Sequence, residues 1–289
     1  MITFAVVGHN EAALLSNAIE QVHAAGLPGD RVWFVDSASS DGSGELARHL
    51  GADVVRAPLG KGSAVAVAVG RCETRHLCLL DADIESTTTN VPQTLRRALD
   101  RTGADMVVGE FEWPEKPFRP VTTTIWQSLA RALFPEAIET VPRVPLSGFR
   151  ILDVALARGR LPAGFGLEVH LNIVGSLDGR RTETADIGRY TGPVRPNPEL
   201  PSDVAQAILD IAEARGRLDP SARPDWERWL EPVLALIAET APEDRTRRNL
   251  LTQAAARPLP ASGRPSRGHA ARAAGAPAGA GPASAGGAR

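Results

Sequence analysis

The sequence predicts an α/β fold: a mostly parallel sheet with helices on both faces, followed by a helical C-terminal part. Three observations carry this. Short, near-continuous apolar runs at residues 3–8, 31–35, 53–56, 76–80 and 105–109 alternate with alanine- and leucine-rich stretches of helical period, the pattern of strands buried on both faces. Several of those runs end in clusters of glycine and short polar residues, the places where ligands settle on such sheets. The chain has 289 residues, 43% of them hydrophobic, enough for one large domain with small additions.

Residues 3–8 form the first strand and run into Gly8-His9-Asn10-Glu11. A helix over 11–25 places Leu14, Leu15, Ala18, Ile19 and Val22 on one face. The second strand, 31–35, ends in Asp36-Ser37-Ala38-Ser39-Ser40-Asp41-Gly42-Ser43, a loop and helix start with Ser or Asp as N-cap. A short helix at 44–50 and a strand at 53–56 follow. Gly60-Lys61-Gly62 then opens a helix to Gly70, and the strand at 76–80 leads straight into Asp81-Ala82-Asp83. A helix at 91–101 and the strand at 105–109 complete the alternation.

Beyond residue 110 the pattern changes. Residues 111–120 contain three prolines and read as a loop, 122–134 as a helix, 145–150 as a turn or short strand, 164–177 as a helix and 183–188 as a strand. Three helices follow near 202–216, 224–240 and 243–256 and form either a dimer surface or a cover for the core. From Arg257 the chain is alanine, glycine, proline, serine and arginine, a composition that predicts a disordered tail over 257–289.

The formal net charge is −2 and the sequence pI about 6.3, which argues against a nucleic-acid partner. No apolar stretch reaches the roughly 20 residues of a membrane span. No lysine or arginine precedes Arg31, so no secretory signal is read. Cys72 and Cys78 match no zinc or disulfide framework and read as two buried thiols. A soluble, cytoplasmic protein is expected.

Asp81 and Asp83 stand two apart in extended chain, so their carboxylates share one side. Two such oxygens at a strand end suit a hard cation, Mg²⁺ or Mn²⁺, which keeps open positions for waters or phosphate oxygens. The same pair also fits a solvated loop. Asp36, at the end of its strand, is positioned to accept hydrogen bonds from a base or ribose, while Ser39, Asp41 and Ser43 are explained by capping and turn formation. Gly60 and Gly62 let backbone approach a phosphate, with Lys61 as a point charge. This is not a Walker motif. His9 and His170 read as structural, and Trp226 and Trp229, at helical spacing, as packing residues.

Gly8-His9-Asn10-Glu11-Ala12, Val35 to Ser43, Gly60-Lys61-Gly62 and Leu80-Asp81-Ala82-Asp83, in this order, resemble the nucleotide-binding half of family 2-like GT-A glycosyltransferases. Pro145-Leu146-Ser147-Gly148 and Gly164-Phe165-Gly166-Leu167-Glu168-Val169 resemble the retaining glucosyl-3-phosphoglycerate synthases within that group. The resemblance spans residues 3–190. It implies a nucleotide-sugar-binding half over 1–110, an acceptor-binding half over 111–200 and C-terminal helices over 201–256.

The resemblance also implies roles. Asn10 and Glu11 would lie at the uridine end, Asp36 and Ser37 at uracil or ribose, and Lys61 at the nucleotide. Asp81, Ala82 and Asp83 would serve the sugar nucleotide, with Asp83 the ligand of Mg²⁺ or Mn²⁺. Gly148 and Arg150 would face the acceptor, and Glu168 would hold the donor sugar, making Asp83 and Glu168 the catalytic pair. The implied reaction moves a sugar, glucose or N-acetylglucosamine, from UDP to a small soluble acceptor with retention and without an enzyme nucleophile. The family's histidine metal ligand is missing from Asp186–Gly192. Either Asp83 holds the ion with phosphate and water, or Tyr190 or Asn197 fills in. The competing readings are a nucleotidyltransferase, whose basic glycine-rich first loop is replaced here by Gly8-His9-Asn10-Glu11, and a non-catalytic binding module of the same fold.

Overall fold

The computed structural model describes residues 1–113, 119–140, 142–193, 195, 197–239 and 244–263. The first half follows the predicted alternation: β1 (Ile2–Gly8), α1 (Leu15–Ala25), β2 (Arg31–Ser37), α2 (Ser43–His49), β3 (Asp53–Ala57), α3 (Lys61–Arg71) and β4 (His76–Asp81). The two-residue β5 (Ser86–Thr87), α4 (Val91–Thr102) and β6 (Met106–Glu112) come next. A π-helical turn, Val121–Trp126, leads into α5 (Gln127–Leu133) and α6 (Pro135–Thr140). The last elements are β7 (Arg150–Asp153), α7 (Leu167–Leu177), β8 (Thr182–Thr191), α8 (Leu200–Ala214), α9 (Arg223–Glu239) and α10 (Arg245–Ala255).

The eight strands form one sheet in the order β3-β2-β1-β4-β7-β6-β8-β5. β1, β2, β3 and β4 pair in parallel, as do β6 and β8. The short strand β7 enters between β4 and β6 antiparallel to both. This reversal makes the sheet mixed, and it brings the 145–149 turn across the end of β4.

Successive strand residues face opposite layers. Phe4 and Val6 join the core beneath α1, α2 and α4, while Ala5 and Val7 join the core beneath α3 and α7. A third core is purely helical and packs the π-helical turn, α5, α6 and α8–α10 together. Helix α7 is the seam between them: Leu167 and Leu171 face the sheet, whereas Val169 and Ile173 face the helical cluster.

Three local expectations change. The helix expected at 122–134 begins as a π-helical turn. Thr123 and Thr124 there donate their hydroxyls back to the carbonyls of Arg119 and Pro120, a competition with the backbone ladder that distorts helices. At α2 the N-cap is Gly42, with φ 88° and no side-chain cap bond, and Asp41 instead accepts from the Ser43 amide at 3.0 Å. The tail boundary also moves. Leu259 packs on the helical core, the Trp226 indole donates to the Ala261 carbonyl at 3.2 Å, and the Asp219 amide to that of Ser262 at 2.9 Å. Residues 257–263 are thus part of the folded layer, and the rest of the expected tail, 264–289, lies outside the described residues.

Trp226 and Trp229 are buried in the helical core, as packing requires. Both cysteines are buried and unpaired. Among the described residues no helix is long and apolar enough to cross a membrane.

Candidate active site

One wall of the site is made by the loops that leave β1 and β2. Asn10 and Ala38 both take positive φ, 56° and 60°, and side-chain bonds hold these conformations. The Asn10 amide donates to Ser39 Oγ at 2.9 Å, and Asn10 Oδ1 accepts from the Ser40 amide at 2.8 Å. The Glu11 amide donates to Ser43 Oγ at 2.9 Å and the Ala12 amide to Asp41 Oδ2 at 2.9 Å. His9 Nδ1 meets the Ser37 carbonyl at 2.8 Å, which accounts for this histidine as a loop fastener. Asp36 is nearly buried, with Oδ1 accepting the Ser39 amide at 2.8 Å. Ser37 Oγ donates to the Pro58 carbonyl and accepts from the Gly60 amide. The structure therefore brings Asn10, Asp36 and Ser37 together, but the Ser37 hydroxyl is already spent within the wall.

The opposite wall is ionic. Lys61 Nζ lies 2.7 Å from Asp81 Oδ1 and 2.7 Å from Glu168 Oε1, joining α3, β4 and α7 at one point. Burial disfavours the ammonium, but Asp81 and then Glu168 overcome it and raise the Lys61 pKa. Below this cluster Arg150 is 1% exposed. It donates to the Ser147 carbonyl at 2.6 Å and to Asn172 Oδ1 at 3.2 Å, and Asn172 donates in turn to the Pro145 carbonyl at 2.9 Å. Burial lowers the Arg150 pKa, opposed by Glu168 and Asp81. Arg150 thus braces the 145–149 turn from within and presents no guanidinium to an acceptor, a correction to the expected acceptor contact.

Two glycines serve close approach here. A Cβ on Gly148 would fall 2.2 Å from Asp81 Oδ2, so a side chain there would have to displace the carboxylate that Lys61 holds. A Cβ on Gly62 would fall 1.8 Å from the Pro162 carbonyl oxygen. The Gly62 and Ser63 amides donate to the carbonyls of Gly164 and Ala163 at 3.2 and 2.9 Å. The first amides of α3 therefore hold the 162–164 segment rather than standing open to a phosphate, which corrects the phosphate-cradle reading of Gly60-Lys61-Gly62.

Between the walls stands Asp83. Burial, then the charges of Asp81 and Glu11, push its pKa up to about 6. The Tyr190 hydroxyl donates to Asp83 Oδ1 at 3.5 Å, and burial together with Asp83 keeps that phenol protonated. Glu11 is taken by Arg195, which grips both of its oxygens, one at 2.8 Å. Ala82 is 1% exposed with its methyl in the core, so it reaches the site through backbone alone.

The model of the family "Glycosyl transferase family 2" matches residues 3–152, more than half of the chain. The chain belongs to glycosyl transferase family 2. It is accordingly a glycosyltransferase, and the nucleotidyltransferase and non-catalytic readings give way. No curated protein matches it. Solved structures share its fold. Glucosyl-3-phosphoglycerate synthase from Mycobacterium tuberculosis, in complex with Mn²⁺, UDP-glucose and phosphoglyceric acid, is 22% identical with a TM-score of 0.63, covering 74% of this chain and 80% of that one. Mannosyl-3-phosphoglycerate synthase from Rubrobacter xylanophilus is 20% identical with a TM-score of 0.66, covering 76% of each chain.

The donor set of this family 2 transferase suits an ion shared with a ligand. Among the described residues no three His, Cys, Asp or Glu side chains converge as a metal cage. Asp81 is committed to Lys61 and Glu11 to Arg195, leaving Asp83 as the carboxylate whose charge is least compensated. A cation held by one carboxylate and completed by phosphate oxygens and water fits that arrangement. Of the two stand-ins for the missing histidine, Asn197 is occupied, its Oδ1 accepting the Leu200 amide at 3.1 Å at the start of α8. Tyr190 is adjacent, but as a neutral phenol packed among Phe111, Trp113 and Phe149 it positions Asp83 rather than replacing an imidazole.

Sequence reasoning missed Arg195 and Asn172. Arg195 is 184 residues from Glu11 and carries no local signal. Asn172 did carry one. It is polar and lies four residues after Glu168 on α7, the spacing that puts both side chains on one face.

Proposed function

We propose that this glycosyltransferase moves glucose or N-acetylglucosamine from a UDP-sugar to a small acceptor with retention of anomeric configuration, aided by Mg²⁺ or Mn²⁺. The observation that carries the reading is Asp83: a carboxylate held high by burial and by Asp81 and Glu11, facing a wall of ordered loops that includes Asp36 and Asn10. The complex of Mn²⁺ with UDP-glucose in a structure of the same fold supports the choice of donor and metal.

Asp83 would hold the ion together with the donor's diphosphate, and the ion would neutralise charge on the leaving group. Asp36 would accept from the nucleoside, with Asn10 beside it. Lys61 orients Asp81 and Glu168 through its two contacts, and the second oxygen of Glu168 would accept from the donor sugar's hydroxyls. Pairing with Lys61 makes Asp81 and Glu168 weaker nucleophiles, in keeping with a front-face retaining transfer without an enzyme nucleophile. Gly148 would shape the acceptor side.

The test is thermal-shift binding of UDP- and GDP-sugars, with and without Mn²⁺, on the wild type and Asp83→Ala. The expected result is Mn²⁺-dependent stabilisation by one UDP-sugar that disappears in the variant. A well-folded protein stabilised by no nucleotide-sugar would overturn the reading.

A further inference from the structure

Away from the donor site lies a cavity of about 280 Å³. Its polar rim is Arg158, Arg160, His170, Asp178, Arg180 and Arg215, and its floor is Leu156, Val174 and Ile211. Helix α7 separates it from the donor site. Glu168 reaches Lys61, and His170, two residues and about 200° further round the helix, faces the cavity.

Four arginines line this cavity against one lining carboxylate. Two of them have evident protein partners: Arg215 pairs with Asp178 at 2.9 Å and Arg180 with Asp105 at 3.5 Å. Arg215 also sits at the C-cap of α8, where a cation is favoured by the helix dipole. Arg158 and Arg160 have neither explanation. They come from the segment that follows β7, and their side chains pair with no described residue. Arginine forks with no protein partner, beside an apolar floor, are the chemistry that recognises phosphate or carboxylate oxygens on a small molecule.

We propose that this cavity is a binding site, separate from the donor site, for a small phosphate-bearing metabolite whose oxygens are taken by Arg158 and Arg160. The volume is near the lower end for small-molecule pockets and suits a phosphate ester of a few carbons. Burial and Arg215 lower the His170 pKa, as expected where positive charge is in excess, so an anion there also gains a latent proton donor. Occupancy would be felt at the donor site through a short route. Arg160 is two residues from Pro162, where the segment that binds the first amides of α3 begins.

The experiment is calorimetric titration of inorganic pyrophosphate into the full chain in EDTA at fixed ionic strength, comparing the wild type with Arg158→Ala/Arg160→Ala. Both side chains are exposed, so the variant should melt with the wild type and keep its basal turnover. The expected result is one saturable site that weakens about tenfold or more in the variant. Absence of saturable binding, or equal affinity in the two proteins, overturns the proposal. Displacement of the bound pyrophosphate by UDP also overturns it, since the anion would then be in the donor site. The measurement needs neither metal nor turnover, so its failure leaves the sugar-transfer reading standing.

Discussion

On the β1–β2 side of the pocket, the loops at 8–14 and 37–43 are fastened by about half a dozen hydrogen bonds between short side chains and backbone amides. On the β4–α7 side, one ammonium holds two carboxylates and a buried guanidinium sits beneath them. The first wall spreads its stabilisation over many contacts of about 1 kcal/mol each, so no single loss is severe. The second concentrates charge in a poorly solvated spot, where removing one partner leaves others uncompensated. The donor's base and ribose would meet the tolerant wall and its reacting sugar the intolerant one.

The largest effect follows from breaking the ionic wall at its centre. Lys61→Met keeps the side chain's length but leaves Asp81 and Glu168 facing each other. We expect about 3 kcal/mol lost in urea unfolding and turnover reduced beyond detection. A variant as stable as the wild type would show the two walls to be equivalent.

Next is Asp83→Asn, which should separate chemistry from stability. Turnover should fall roughly 100-fold or more, yet the metal-free melting temperature should hold or rise, because the substitution removes a charge that burial, Asp81 and Glu11 already disfavour. The pH dependence follows in sign. Asp83 is raised from 3.8 to about 6, so the folded metal-free protein binds this proton more tightly than the unfolded chain. That contribution is fully present below pH 3.8 and is lost as pH rises through about 6. Metal requires the carboxylate, so stabilisation by Mn²⁺ with donor should run the opposite way, growing through pH 6. A flat profile between pH 5 and 7 would remove Asp83 as the ligand.

The same contrast explains what could be read in the sequence. The first wall is made at successive strand ends: Asp36 was legible as a polar group at the end of its strand and Ser39, Asp41 and Ser43 as cap and turn residues, while Asn10 was picked out only by the family resemblance, and the bonds that tie it to Ser39 and Ser40 were not legible. The second wall is assembled across Lys61, Asp81, Gly148, Arg150 and Glu168 by an antiparallel strand, β7, whose four residues carry no period of their own. Arg150 was expected at the acceptor, and only the reversal at β7 turns it inward. Gly60 and Gly62 could be identified as sites of close approach, but not what approaches them: the 162–164 backbone, 100 residues away, instead of phosphate. The tail boundary was misplaced for a related reason, because Ala261 and Ser262 contribute carbonyls, which composition does not reveal.

That boundary gives a smaller prediction. A chain ending at Arg257 should lose about 1–2 kcal/mol relative to one ending at Gly263, because the buried Trp226 indole loses its acceptor. Equal urea midpoints would show that residues 258–263 add nothing to the helical layer.

The smallest effect lies where the two walls meet. Arg195 grips Glu11 at the edge of the first wall, and its charge also lowers the Asp83 pKa. Arg195→Ala removes a half-exposed partner, so the loss of stability should be about 1 kcal/mol. The freed Glu11 and the missing cation both act on Asp83 in one direction, toward retaining its proton. The pH midpoint of Mn²⁺ stabilisation should therefore move upward by about half a unit. If stability falls but the midpoint stays, Arg195 is only a strap over the loop, and burial with Asp81 sets Asp83. If the midpoint moves without loss of stability, the pair exists to tune the carboxylate, and the two walls are coupled through charge rather than packing.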